Sequence, residues 1–159
     1  MWAKIRVTFW TLAATLSLVL PGVVRAQEKI SIPSFTPAST RNFVKHEGPQ
    51  VNVSGELYMP ASAKGPVPAL ILKHGSGGLE GPTGVNIRKW AATVANWGVA
   101  ALIVDSFGPR KITQTATNQS QLSDWADIAD SLAALKMLAA DPRIDKSRIG
   151  IMGWSVALP

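Results

Sequence analysis

Two short stretches carry residue types that could do chemistry together. The first is Gly153-Trp154-Ser155-Val156-Ala157, which follows the run Arg148 to Met152. A serine between small residues at a strand end has the form G-x-S-x-G, in which a sharp strand-to-helix turn lifts the hydroxyl into the open and leaves no room for flanking side chains. Ala157 stands where the second glycine would be. The other stretch is His74-Gly75-Ser76-Gly77-Gly78, at the end of the apolar run "VPALILKHG". Backbone N–H groups of such a loop, here those of Gly75, Ser76 and Gly77, can converge with the N–H of the residue after the serine, Val156, on one developing oxyanion. A nucleophile and two such donors are what acyl transfer needs.

A serine hydroxyl is a poor nucleophile until a base takes its proton. His74 has two readings, a residue that shapes the loop or a base, and the first is preferred. His46 sits at a turn and reads as solvated. Asp105 ends an apolar run and reads as a cap or turn residue of "DSFGPR" in preference to a triad acid. Glu80 and Arg110 read either as contacts for an anionic substrate or as solvated loop charges. Trp154 and Trp125 read as core. The chain has no cysteine, so it has neither a thiol nucleophile nor a disulfide framework. Its two histidines and scattered acids give no metal-ligand spacing, and no cofactor is expected.

These groups need strand ends to hold them. "VPALILKHG" and "VAALIVD", Val99 to Asp105, are near-continuous apolar runs, as strands buried on both faces should be. Between them Ile87, Trp90, Ala91, Val94 and Ala95 recur at helical spacing, and Gly98 ends that helix. A loop from Ser106 to about Gln121 follows. Trp125, Ile128, Ala129, Leu132, Leu135 and Leu138 then mark a second amphipathic helix, which must stop before Pro142. Arg148 to Met152 is the last strand. Upstream, residues 27–40 read as a leader, and Asn42 to His46 pairs with Val51 to Met59 as a hairpin through Glu47-Gly48-Pro49. Alternating strands and helices predict one α/β domain, residues 41–159, with a mostly parallel sheet covered on both faces.

The first 26 residues read differently. Lys4 and Arg6 precede an apolar run from Val7 to Leu20, and Val24-Arg25-Ala26 follows Pro21, the three-part pattern of a signal peptide cleaved after Ala26. The run is short of the roughly 20 residues of a membrane span. The expected location is exported, periplasmic or secreted. Lys4, Arg6 and Arg25 account for half of the net charge of +6. The remaining cations are scattered, which excludes the basic stripe of a nucleic-acid binder.

The segments "VSGELYMP", "PALILKHGSGG", "AALIVDSFGPR" and "DPRIDKSRIGIMGWS", in this order, resemble the N-terminal half of the dienelactone hydrolase branch of the α/β-hydrolase superfamily. The resemblance runs from about Arg41 to Ser155. It implies an α/β-hydrolase fold truncated after the nucleophile-elbow strand and hydrolysis of ester or lactone bonds. It also implies Ser155 as nucleophile, with Gly75, Ser76, Gly77 and Val156 as oxyanion hole. Dienelactone hydrolases carry cysteine at the elbow, so Ser155 places the chain nearer to serine-type relatives. In this fold the triad acid and histidine follow the serine, and only four residues follow Ser155. The expectation is therefore an inactive fragment. Its partners are a small-molecule ester or lactone, no nucleic acid, no membrane after signal cleavage, and a second copy through an exposed sheet edge. The alternative is a non-catalytic exported module that binds a small ligand or a second chain. A peptidase of the same superfamily shares the G-W-S elbow but should bring a large N-terminal domain.

Overall fold

A computed structural model describes residues 27–155. The expected signal peptide and Val156 lie outside the described residues. The elements run β1 (Glu28–Phe35), α1 (Thr40–Val44), β2 (Gln50–Tyr58), β3 (Val67–Lys73), α2 (Gly81–Asn96), β4 (Ala100–Asp105), α3 (Asp124–Ala140) and β5 (Ile144–Gly153). Five strands form one sheet in the order β1-β2-β4-β3-β5. Strands β3, β4 and β5 are parallel, while β2 pairs antiparallel with both β1 and β4.

The two apolar runs are the centre of this sheet, and β4 is buried along Ala100 to Val104. One face packs on α2, where Leu72, Ala101 and Ile103 meet Ile87, Ala91, Val94 and Ala95. The other packs on α3, where Ile71, Leu102 and Val104 meet Ala134 and Leu138. Coverage of both faces is what continuous apolar strands require. Helix α2 stops where Gly98 adopts φ +84°, a left-handed conformation that costs glycine nothing. Helix α3 starts at Ser123, whose Oγ accepts from Ala126 N–H, and it ends ahead of Pro142.

Four expectations are corrected. Residues 28–35 of the expected leader pair in register with β2, from Glu28 against Leu57 to Phe35 against Gln50. Their polar alternation and Pro33 suit an edge strand, where a missing N–H faces outward. Asn42 to His46 is not the hairpin partner: Thr40 to Val44 is a helical turn capped by Ser39, whose Oγ accepts from Asn42 N–H. A local side-chain cap competes with strand pairing here, and Phe43 stacks between Phe35 and Trp125. The buried stripe of α3 is Ala126, Ala129, Asp130, Ala134 and Leu138, with Leu132 half-exposed at 50%. Small residues bring the helix close to the sheet, so the leucines at 132 and 135 stand on its flank. Trp125, expected in the core, is half-buried against α1.

Candidate active site

Parallel pairing of β3 with β5 sets Lys73 opposite Gly153, so the turns that follow the two strands leave the sheet side by side. Trp154 N–H donates to Lys73 O at 3.3 Å and extends that pairing by one step. Ser155 comes next, exposed, with φ +59°. A left-handed serine is a strained residue, at a cost of about 1–3 kcal/mol, and such strain gathers at functional sites. It is the backbone form expected of a nucleophile at the tip of a strand-to-helix turn.

Across from it, a Cβ on Gly75 would lie 2.5 Å from Trp154 O and 2.9 Å from Ser155 Cβ. The loop backbone therefore touches the elbow, and only glycine permits that approach. Gly75 O accepts from Gly78 N–H at 3.0 Å, and Gly78 takes φ +68° to close the turn. Ser76 O accepts from Thr115 N–H at 2.8 Å, which ties the loop to the segment after β4. Among the described residues, the N–H groups of Ser76 and Gly77 meet no acceptor. The structure thus brings Gly75 to Ser155, with Ser76 and Gly77 next along the same loop and Gly77 facing Thr83.

The histidine beside the loop is occupied. His74 is buried, its Nδ1 lies 2.9 Å from Gly75 O, and its Nε2 accepts from Ser106 N–H at 3.2 Å. Phe107 meets the ring edge-on at a centroid distance of 4.4 Å. Burial pushes its pKa below the ordinary histidine value, and the positive charge of Lys73 acts in the same direction. Both nitrogens being bound, His74 shapes the loop and has no free lone pair for Ser155. Asp105 is a turn residue: its Oδ1 accepts from Phe107 N–H at 3.0 Å and Gly108 N–H at 2.9 Å. His46 is exposed, with its ring 5.5 Å from Phe35. Glu80 is exposed at the start of α2.

Arg110 fits neither expectation. Its guanidinium makes a bidentate pair with Asp130, at 2.7 and 3.0 Å, and also donates to Ser106 O, Phe35 O and Thr36 Oγ1. Its side chain is 7% exposed and that of Asp130 is 0%. Ser34 Oγ donates to the same carboxylate at 2.6 Å. All five Arg110 donors lie in a planar fork, and here they bind the loop after β4 to β1 and α3. They are not available to a substrate.

Sequence reasoning missed a second buried cluster. Lys73, fully buried at the end of β3, donates from Nζ to Ser106 Oγ at 2.5 Å and pairs with Asp127 Oδ1 at 2.9 Å. The available signal was a lysine inside "PALILKHG", since a buried lysine needs a carboxylate partner.

No protein-family model and no curated protein matches the chain. Solved structures do. A dienelactone hydrolase-like promiscuous phosphotriesterase, P91, from metagenomic libraries matches at 19% identity and TM-score 0.54, over 81% of this chain and 49% of its own. A hyperthermophilic esterase from the archaeon Pyrobaculum calidifontis matches at 19% identity and TM-score 0.52, over 86% of this chain and 37% of its own. The esterase Est22 matches at 24% identity and TM-score 0.51, over 83% and 35%. The described residues build part of an α/β-hydrolase fold. The chain spans about half the length, or less, of these proteins. Within this fold the strained serine follows β5 and faces the glycine-rich loop that follows β3.

Proposed function

We propose that the chain carries the nucleophile half of a serine hydrolase acting on carboxylic ester or lactone bonds, of the dienelactone hydrolase-like kind. The observation that carries this reading is Ser155 at φ +59°, directly after a parallel strand and pressed against Gly75. In the reaction, Ser155 Oγ attacks the acyl carbon, and N–H groups of the 75–77 loop, with that of Val156, hold the developing oxyanion. The proton of Ser155 passes to a histidine held by a carboxylate, and both follow the serine in the chain order of this fold. Val156-Ala157-Leu158-Pro159 supplies neither.

In a serine protease, losing the histidine alone costs about as much as losing the whole triad, on the order of 10⁶ in kcat. The 159-residue chain is therefore expected to turn over a short-chain nitrophenyl ester no faster than buffer. The same chain extended with the C-terminal half of a dienelactone hydrolase-like protein is expected to hydrolyse it, and Ser155→Ala in that protein to abolish the activity. Equal rates with and without Ser155→Ala would refute the elbow assignment. The substrate is a small ester or lactone, met outside the cytoplasm because residues 1–26 have the signal-peptide pattern. Exported protein is expected to begin at Gln27 by intact mass, and retention of Met1 in a membrane fraction would overturn the export reading.

A further inference from the structure

A groove of about 440 Å³ runs between β1 and α3, with Phe43 of α1 completing its wall. Strand β1 lies four strand spacings from β5, about 19 Å at about 4.8 Å each, so the groove is not a branch of the cleft at Ser155. We propose that it is a second binding site, for a small amphiphile with an apolar tail and one anionic head, of the medium-chain carboxylate class. The tail lies between Phe35 and α3, and the head meets the ammonium of Lys136. This site goes beyond the hydrolase reading and does not depend on it.

The groove exists because α3 presents small residues to β1. Ala129 and Ala133, one helical turn apart, share the face that lines it, and Leu132 and Met137 flank them. The opposite wall is held in place: Phe43 stacks on Phe35 at 6.4 Å and meets Trp125 at 5.1 Å. The polar residue between the walls is already committed, since Ser34 Oγ donates to Asp130 Oδ1 at 2.6 Å and Arg110 holds the same carboxylate. A ligand's polar part would find no partner inside and would lose its hydration there. The interior therefore suits hydrocarbon, and its volume falls in the range of about 300–1,000 Å³ that small-molecule sites occupy. Charge at the mouth has one sign. Lys136 and His46 stand exposed on it, and no aspartate or glutamate lines the groove. Among the described residues no carboxylate lies within ion-pair distance of Lys136, while Lys73, Arg88, Arg110, Arg143 and Arg148 all have one. His46, at φ +54°, sets its ring 5.5 Å from Phe35 and offers a ring N–H beside the ammonium. An apolar slot with a cation at its rim is complementary to a tail that carries one negative charge, and a cationic head would meet Lys136 as a like charge.

The probe is sodium decanoate, kept below its micelle concentration, with decanol and decyltrimethylammonium as controls that share its tail. Titration of the 159-residue chain, followed by the methyl NMR signals of its four methionines, should move Met137 and leave Met59 and Met152 in place. Decanol should bind at least tenfold more weakly than decanoate, the scale of one charge-assisted hydrogen bond. Decyltrimethylammonium should leave Met137 unmoved. Lys136→Glu, a change at an exposed residue, should weaken decanoate at least tenfold without altering the thermal midpoint. Ala133→Leu, which fills the groove, should abolish binding, and if that variant does not fold, Lys136→Glu decides the matter. Equal affinities for decanoate and decanol, full affinity in Lys136→Glu, or a Met137 signal indifferent to decanoate overturns the proposal. So does a concentration-dependent dimer that Ala133→Leu abolishes while decanoate leaves Met137 unmoved, for the occupant is then a second copy of the chain. Ester hydrolysis by the extended protein reports on Ser155 and not on this groove, so the two readings fail separately.

Discussion

Gly75→Ala and Gly77→Ala make a matched pair, because the same methyl group is added two residues apart on one loop. At position 75 the new Cβ would lie 2.5 Å from Trp154 O and 2.9 Å from Ser155 Cβ. The obstacle is backbone that cannot simply recede, since Trp154 N–H is bonded to Lys73 O at 3.3 Å. Relief means parting the loop from the elbow and weakening that bond, worth about 1 kcal/mol, on top of an overpacking strain of about 1–3 kcal/mol. Stiffening of the unfolded chain by alanine returns about 0.4–1 kcal/mol at either position. The net expectation for Gly75→Ala is a loss of about 2 kcal/mol. At position 77 the nearest atom is Thr83 Oγ1 at 3.2 Å, the end of a side chain, and the next contacts are at 3.8 Å. Gly77→Ala should therefore be within about 0.5 kcal/mol of neutral, a surface change without special features. With a urea slope near 2 kcal/mol per molar, Gly75→Ala moves the unfolding midpoint down by about 1 M. Urea unfolding followed by tryptophan fluorescence reads both variants. Coincident midpoints would refute the contact between loop and elbow, and with it the geometry on which the candidate site rests.

Asp130→Asn and Arg110→Ala should each cost about 3–5 kcal/mol, because either leaves a buried ionic group short of its bidentate partner; thermal unfolding within a degree of the parent would count against this. Stability should fall as pH drops below about 6.5, the ordinary histidine pKa. Burial holds His74 below that value in the folded chain, so the unfolded state binds the proton first, and Lys73, Asp105 and Asp127 are the charged groups facing it. His74→Leu should flatten the step between pH 7.5 and 5 in urea midpoints, and a step of unchanged size would place the titration elsewhere. We also propose that the β5 edge supports self-association, with Ile151 45% exposed on it. Sedimentation should show a concentration-dependent species that Ile151→Lys suppresses, and equal behaviour of the two would dismiss that edge.

The amino-acid order alone determined the elements that hold the site. Apolar runs at Val67 to Lys73 and Ala100 to Asp105 could satisfy their composition only as strands buried on both faces. Gly98, Ser123 and Pro142 bound the helices by backbone rules that need no partner. Gly153 ahead of Ser155 and the glycines after His74 pointed to tight backbone for the same local reason. What the fold alone decided is where charge and pairing went. Glu28 to Phe35 is a strand because β2 stands beside it, and nothing in its own polar alternation requires that. Arg110 reads as a loop cation until the fold brings it Asp130, twenty residues on, and the carbonyl of Phe35 from the far edge of the sheet. Lys73 and His74 likewise gain their roles from Ser106 and Asp127, on two other segments. A charged or hydrogen-bonding side chain is buried only where partners offset its lost hydration, and partners distant in the chain meet only once the sheet has formed.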